Sequence, residues 1–140
     1  MTMNDAEYES QKARVLLILG RWVGPLGLGW WRNEVEWFRD RAIPEHEQAA
    51  MTCTPDYRYG RFVIQVDLVR VADLNDTELE FAVVHELAHV FLSEMLLVMD
   101  THDPTPCQAW EVAWEHTTTT IANAFLWLRK HCEAEAQHAP

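Results

Sequence analysis

Leu79 to Leu92 reads LEFAVVHELAHVFL. At its centre stands His85-Glu86-Leu87-Ala88-His89, an HExxH string. Residues four apart on a helix project in nearly the same direction. Two imidazoles one turn apart can therefore hold one Zn²⁺. Glu86 lies on a neighbouring radial direction, close enough to reach a water on such an ion and take its proton. From Leu79 to about Met99 the residues are apolar nearly all round, the mark of a helix buried on most sides. Two histidines and a glutamate in that company must be satisfied, by a metal or by hydrogen bonds among themselves or to backbone.

Working outward, Asn75 and Glu78 form a capping pair for the start of this helix, and Asp76 suits its N-terminus electrostatically. Asp100 to Asp103 and Pro104 stop it. Thr105, Pro106 and Gln108 give a second start signal, so another helix is expected to about His131, with Glu133 to Pro140 frayed. Its expected core stripe is Trp110, Trp114, Thr117, Ile121, Ala124, Phe125 and Leu128.

A zinc hydrolase site commonly takes three protein ligands and keeps one position open. The extended string HExxHxxGxxH fails, because Leu92 and Met95 stand where Gly and His would be. Asp100, His102, Asp103, Glu111, Glu115 and His116 are the downstream candidates for the third ligand. Its helix must approach closely, so the residues three, four and seven further on should be small. After Glu115 they are Thr118, Thr119 and Ala122; after Glu111 they are Trp114, Glu115 and Thr118. That favours Glu115, with Glu111 as its alternative.

Upstream, Ala6 to Arg21 reads as a helix with Ala13, Leu16, Leu17 and Gly20 on one side, and a glycine-rich loop follows. Three strands are expected: Trp31 to Trp37, Ala49 to Thr54, and Phe62 to Val71. Pro55 to Gly60 reads as a turn. The runs are close in sequence, which predicts an antiparallel meander. The expected fold class is α+β: N-terminal helix, small three-stranded antiparallel sheet, HExxH helix and Glu-bearing helix, one domain over residues 1–140.

The 140 residues are 49% hydrophobic and 24% charged, which is ordinary globular composition. The net charge of -11 argues against nucleic acid as a partner, and Arg39 and Arg41 beside Asp40 and Glu45 make no basic patch. Cys53, Cys107 and Cys132 contain no CxxC and are expected as free thiols. The acidic N-terminus is not a targeting segment, no apolar run is long enough to span a membrane, and the cytoplasm is the expected compartment.

HELAH followed by a Glu-bearing helix resembles the gluzincin metallopeptidases. The element order, from about Val15 to Leu128, is similar to their minimal form in small phage and bacterial zinc peptidases. Glu115 followed by Ile121-Ala122 resembles the Glu-x5-apolar-Ala pattern of small intracellular members, whereas Glu111 followed by Glu115 matches the register of thermolysin-like members. The resemblance implies a zinc endopeptidase with one Zn²⁺ per chain on His85, His89 and Glu115, Glu86 as general base and a peptide or protein as substrate. It also implies a phage or mobile-element origin. Larger members add a His or Tyr that stabilises the oxyanion; Tyr57, Tyr59 and His102 are candidates, while His46, His116, His131 and His138 read as solvated. The tryptophans read as core and interface bulk. An extended peptide is expected to add to Phe62 to Val71 or its neighbouring strand. The competing reading is a catalytically silent zinc-binding interaction module. A SprT-like crosslink peptidase lacks its zinc ribbon and basic patch.

Overall fold

The computed structural model describes residues 3–39, 41–56, 59–100 and 108–137. The elements run α1 (Asp5–Trp22), β1 (Arg32–Phe38), β2 (Met51–Asp56), β3 (Arg61–Asp67), α2 (Leu68–Asp73), α3 (Asp76–Asp100) and α4 (Gln108–Gln137). The class is α+β. Among the described residues no helix is long and apolar enough to cross a membrane.

The helix starts follow from their caps. Asn4 and Glu7 exchange side chain and backbone bonds in a capping box at α1. Asn75 and Glu78 do the same at α3, as their spacing predicts. The buried face of α1 is Val15, Ile18, Leu19 and Trp22, and Leu16 and Leu17 are exposed, so the expected face was rotated. Residues i, i+3, i+4 and i+7 share one side, and only that set packs on the sheet and α3.

The sheet is mixed rather than an antiparallel meander. Its order is β1-β3-β2, with β1 parallel and β2 antiparallel to β3. A short connection after β2 returns the chain directly beside it. It ends at Gly60, whose φ of +57° would strain any other residue and where a Cβ would crowd the Trp30 ring at 3.0 Å. The stretch between β1 and β2 is long enough to carry β2 across to the far edge, and β1 then meets β3 in parallel. β3 also ends earlier than its β-branched residues predict. Asp67 is buried and its carboxylate accepts the N–H groups of Val69 and Arg70, so it caps α2 where a longer strand was expected. Pro55 and Asp56, read as turn, belong to β2.

Phe62, Ile64 and Val66 of β3 are wholly buried beneath α1 and α3. From α3 come Leu79, Val83, Val84, Leu87 and Val90. That packing leaves β2 as the sheet edge beside α3. β3 is paired on both sides, so of the two strands considered for peptide addition only β2 has a free edge there.

α4 runs opposite to α3: Glu80 meets Arg129, His85 meets Thr119, and His89 meets Trp114. Thr118 and Ala122 are its buried contacts, while Thr117, Ala124 and Leu128 of the expected stripe are exposed. α4 continues to Gln137, past the expected end near His131. Thr105, Pro106, Cys107 and the loop Thr101 to Pro104 lie outside the described residues. Cys53 and Cys132 are free thiols.

Candidate metal centre

α3 presents His85 and His89 toward α4, and α4 returns Glu115. His85 Nε2 and His89 Nε2 lie 3.2 Å apart. Glu115 Oε2 stands 3.4 Å from the first and Oε1 3.4 Å from the second. A tetrahedral zinc with bonds of about 2.0–2.1 Å sets neighbouring ligand atoms roughly 3.3–3.4 Å apart. The two imidazole nitrogens thus stand at nearly the spacing of two corners around one small ion, each with a different Glu115 oxygen beside it, and one ligand atom from each of the three residues falls within 4.8 Å of the others. Among the described residues this is the group of His, Cys, Asp and Glu that could hold a metal. The donor set, two imidazoles and one carboxylate, suits Zn²⁺.

The neighbours of Glu115 explain why it reaches the site. Thr118 and Ala122 are fully buried against α3, so the helix axes can come close. Glu111, a turn earlier, is exposed and does not line the cleft. His116 is exposed on another side of α4. The side chain of Asp100, and all of His102 and Asp103, lie outside the described residues.

Glu86 lines the same cleft on its β2 side, where the Cys53 N–H donates to its carboxylate. The Asp67 N–H donates to the Ala50 carbonyl, which fixes the even-numbered residues of β2 as those bonding to β3. The backbone of Cys53 thus faces α3. Burial pushes the Glu86 carboxyl up to about 8, the charge of Glu115 adds to this, and the Cys53 N–H opposes it. Burial pulls His89 below its ordinary value; Glu115 opposes and His85 reinforces that fall. A neutral imidazole is the ligating form. Burial and the neighbouring Glu86 raise the Cys53 thiol well above its usual range, which keeps it protonated and a weak nucleophile.

The imidazole nitrogens facing away from Glu115 also have partners. Thr119 Oγ1 is 3.4 Å from His85 Nδ1, and Thr118 Oγ1 is 3.5 Å from His89 Nδ1. Trp114 Nε1 is 3.1 Å from His89 Nδ1. Among the described residues no buried side-chain polar atom lacks a partner. Satisfying the burial cost therefore does not by itself demand an ion, and the donor spacing is the stronger sign.

The cleft holds about 440 Å³ between α3, the start of α4, β2 and the turn before it. His46 and Trp114 line it, as do Thr52, Thr54 and Pro55. The sequence placed His46 in solvent, and it is exposed, and placed Trp114 in the core stripe, where it is half-buried, but it put neither at the cleft. His46 comes from a turn with no periodic signal, and Trp114 reads as core bulk until its indole N–H has a partner. Tyr59 is exposed and does not line the cleft, and Tyr57 lies outside the described residues. No protein-family model, curated protein or solved structure matches this chain.

Proposed function

We propose that the chain is a zinc-dependent metallopeptidase that hydrolyses peptide bonds, with one Zn²⁺ on His85, His89 and Glu115 and Glu86 as general base. One observation carries this reading: two imidazoles and a carboxylate from two helices converge within 4.8 Å, in a cleft shared with a second carboxylate that is not one of them. When bound there, the ion supplies a Lewis acid for the scissile carbonyl and for an attacking water. A purely structural zinc has no use for Glu86, but a hydrolase needs a base at that place.

Glu86 in its ionised form, which a cation held beside it would favour, takes the proton of the attacking water and passes it to the leaving amine. Its anchorage on the Cys53 N–H holds the carboxylate against the edge of β2. Pro55 has no N–H and that of Cys53 is engaged, so this stretch of edge offers mainly carbonyl acceptors. An extended peptide brings the complementary N–H donors. The net charge of -11 favours neutral or basic peptides.

The test has two parts. Purified parent should hold about one zinc per chain, and His89→Ala and Glu115→Ala should lose it. Glu86→Gln should keep the zinc and lose at least a hundredfold in cleavage of a peptide library, roughly the value of a positioned base. Zinc with equal cleavage by parent and Glu86→Gln would remove Glu86 as the base. Zinc with no cleavage of any peptide by the parent would favour the silent interaction module.

A further inference from the structure

Trp114 and Thr118 meet the same atom, His89 Nδ1, with opposite hydrogen-bonding abilities. A neutral imidazole carries one N–H and one lone pair. To ligate an ion through Nε2, the ring must keep its proton on Nδ1. Thr118 can receive that proton. Its own hydroxyl donates to the Trp114 carbonyl at 2.9 Å, which leaves oxygen lone pairs for the ring. The indole N–H of Trp114 can only donate. It satisfies Nδ1 only when the ring proton sits on Nε2, and a ring in that form has no lone pair to give an ion.

Resting on the metal-site reading above, we propose that Thr118 and Trp114 are opposed selectors of the His89 tautomer, the hydroxyl favouring the ligating form and the indole the non-ligating one. Both are positioning residues. Trp114 stands closer, at 3.1 Å against 3.5 Å, so the ligating form must displace a hydrogen bond. His85 faces a hydroxyl, Thr119 Oγ1, that can accept its Nδ1 proton.

The Thr117 to Thr120 run gains a reason from this arrangement. Thr117 and Thr120 are exposed and donate to carbonyls of their own helix, those of Ala113 and His116. Thr118 and Thr119, three and four residues after Glu115, each address one imidazole. The helix that delivers the carboxylate also delivers a proton acceptor to each histidine.

Zinc affinity by chelator competition tests this without reference to cleavage. Thr118→Val keeps the shape and removes the acceptor, and zinc should bind roughly 10- to 100-fold more weakly. Thr118→Ser should restore affinity to near the parent's. Trp114→Phe keeps an aromatic ring and removes the donor, and zinc should bind about two- to tenfold more tightly. In chelator-treated protein, ¹⁵N shifts of the histidine ring should show His89 protonated on Nε2 in the parent and moved toward Nδ1 in Trp114→Phe. Should Thr118→Val fail to fold, the Trp114→Phe arm decides alone. Equal zinc affinity in parent and Trp114→Phe, or His89 protonated on Nδ1 in both, would overturn the selector role while leaving the metal site intact. A parent that binds no zinc would overturn the metal reading itself, and the selector role with it.

Discussion

At the scale of single residues, Glu86 carries the sharpest consequence. Its carboxyl rises from an ordinary value of 4.5 to about 8, first through burial and then through Glu115. The folded protein thus holds this proton more tightly than the unfolded chain. The resulting stability is fully present below the unfolded value and is lost as pH rises through the folded one. The urea midpoint of chelator-treated parent should therefore fall between about pH 5 and about pH 8.5, relative to that of Glu86→Gln, which has no group titrating there. Parallel pH profiles would show that Glu86 titrates normally. His85, Glu86 and His89 were legible in the chain because one helical turn sets their relation. The Cys53 N–H on Glu86, the Trp114 indole on His89 and the place of His46 were not, since each depends on segments far apart in sequence.

At the scale of elements, the approach of α4 to α3 sets the position of Glu115. Thr118 and Ala122 are wholly buried at that contact, and the small side chains after Glu115 anticipated it. Ala122→Leu should overpack the contact, cost about 1–3 kcal/mol and lift Glu115 away from the histidines. Zinc titration and urea unfolding should show both losses together, whereas Ala124→Leu, on the exposed side, should change neither. If Ala122→Leu binds zinc as the parent does, the close contact does not position Glu115. Apolar spacing alone put Thr117, Ala124 and Leu128 on the inner stripe, and these three are exposed, whereas Trp114, Ile121 and Phe125 of the same stripe are half-buried. A close helix contact selects for small side chains, which hydropathy does not register. The same limit applied to α1, where Leu16 and Leu17 are as apolar as the residues that the sheet buries.

At the scale of the molecule, the core lies between the sheet, α1 and α3, and the His85, His89 and Glu115 cluster sits at its margin against α4. Trp22 and Arg129 both bond to Glu80, which ties α1 and α4 to α3 independently of the histidines. Removing zinc should thus lower the melting temperature without unfolding the chain. At free zinc 100 times the dissociation constant the lost stabilisation would be about 2.7 kcal/mol. Far-UV circular dichroism of chelator-treated protein should keep its helical signal, and its collapse would make the ion a staple of the fold. The amino-acid sequence by itself determined what local periodicity and capping control: the order of the elements apart from α2, the α+β class, the Asn75–Glu78 cap, and the His85, Glu86 and His89 relation on one helix. The size of the neighbouring side chains also favoured Glu115 over Glu111 as the residue facing the histidines, and Glu115 is the one that faces them. Tertiary structure alone decided that β2 crosses to the far edge, that β1 lies parallel to β3, and which side of α4 turns inward. Those choices rest on burial shared between distant segments, and no window of neighbouring residues contains that free energy.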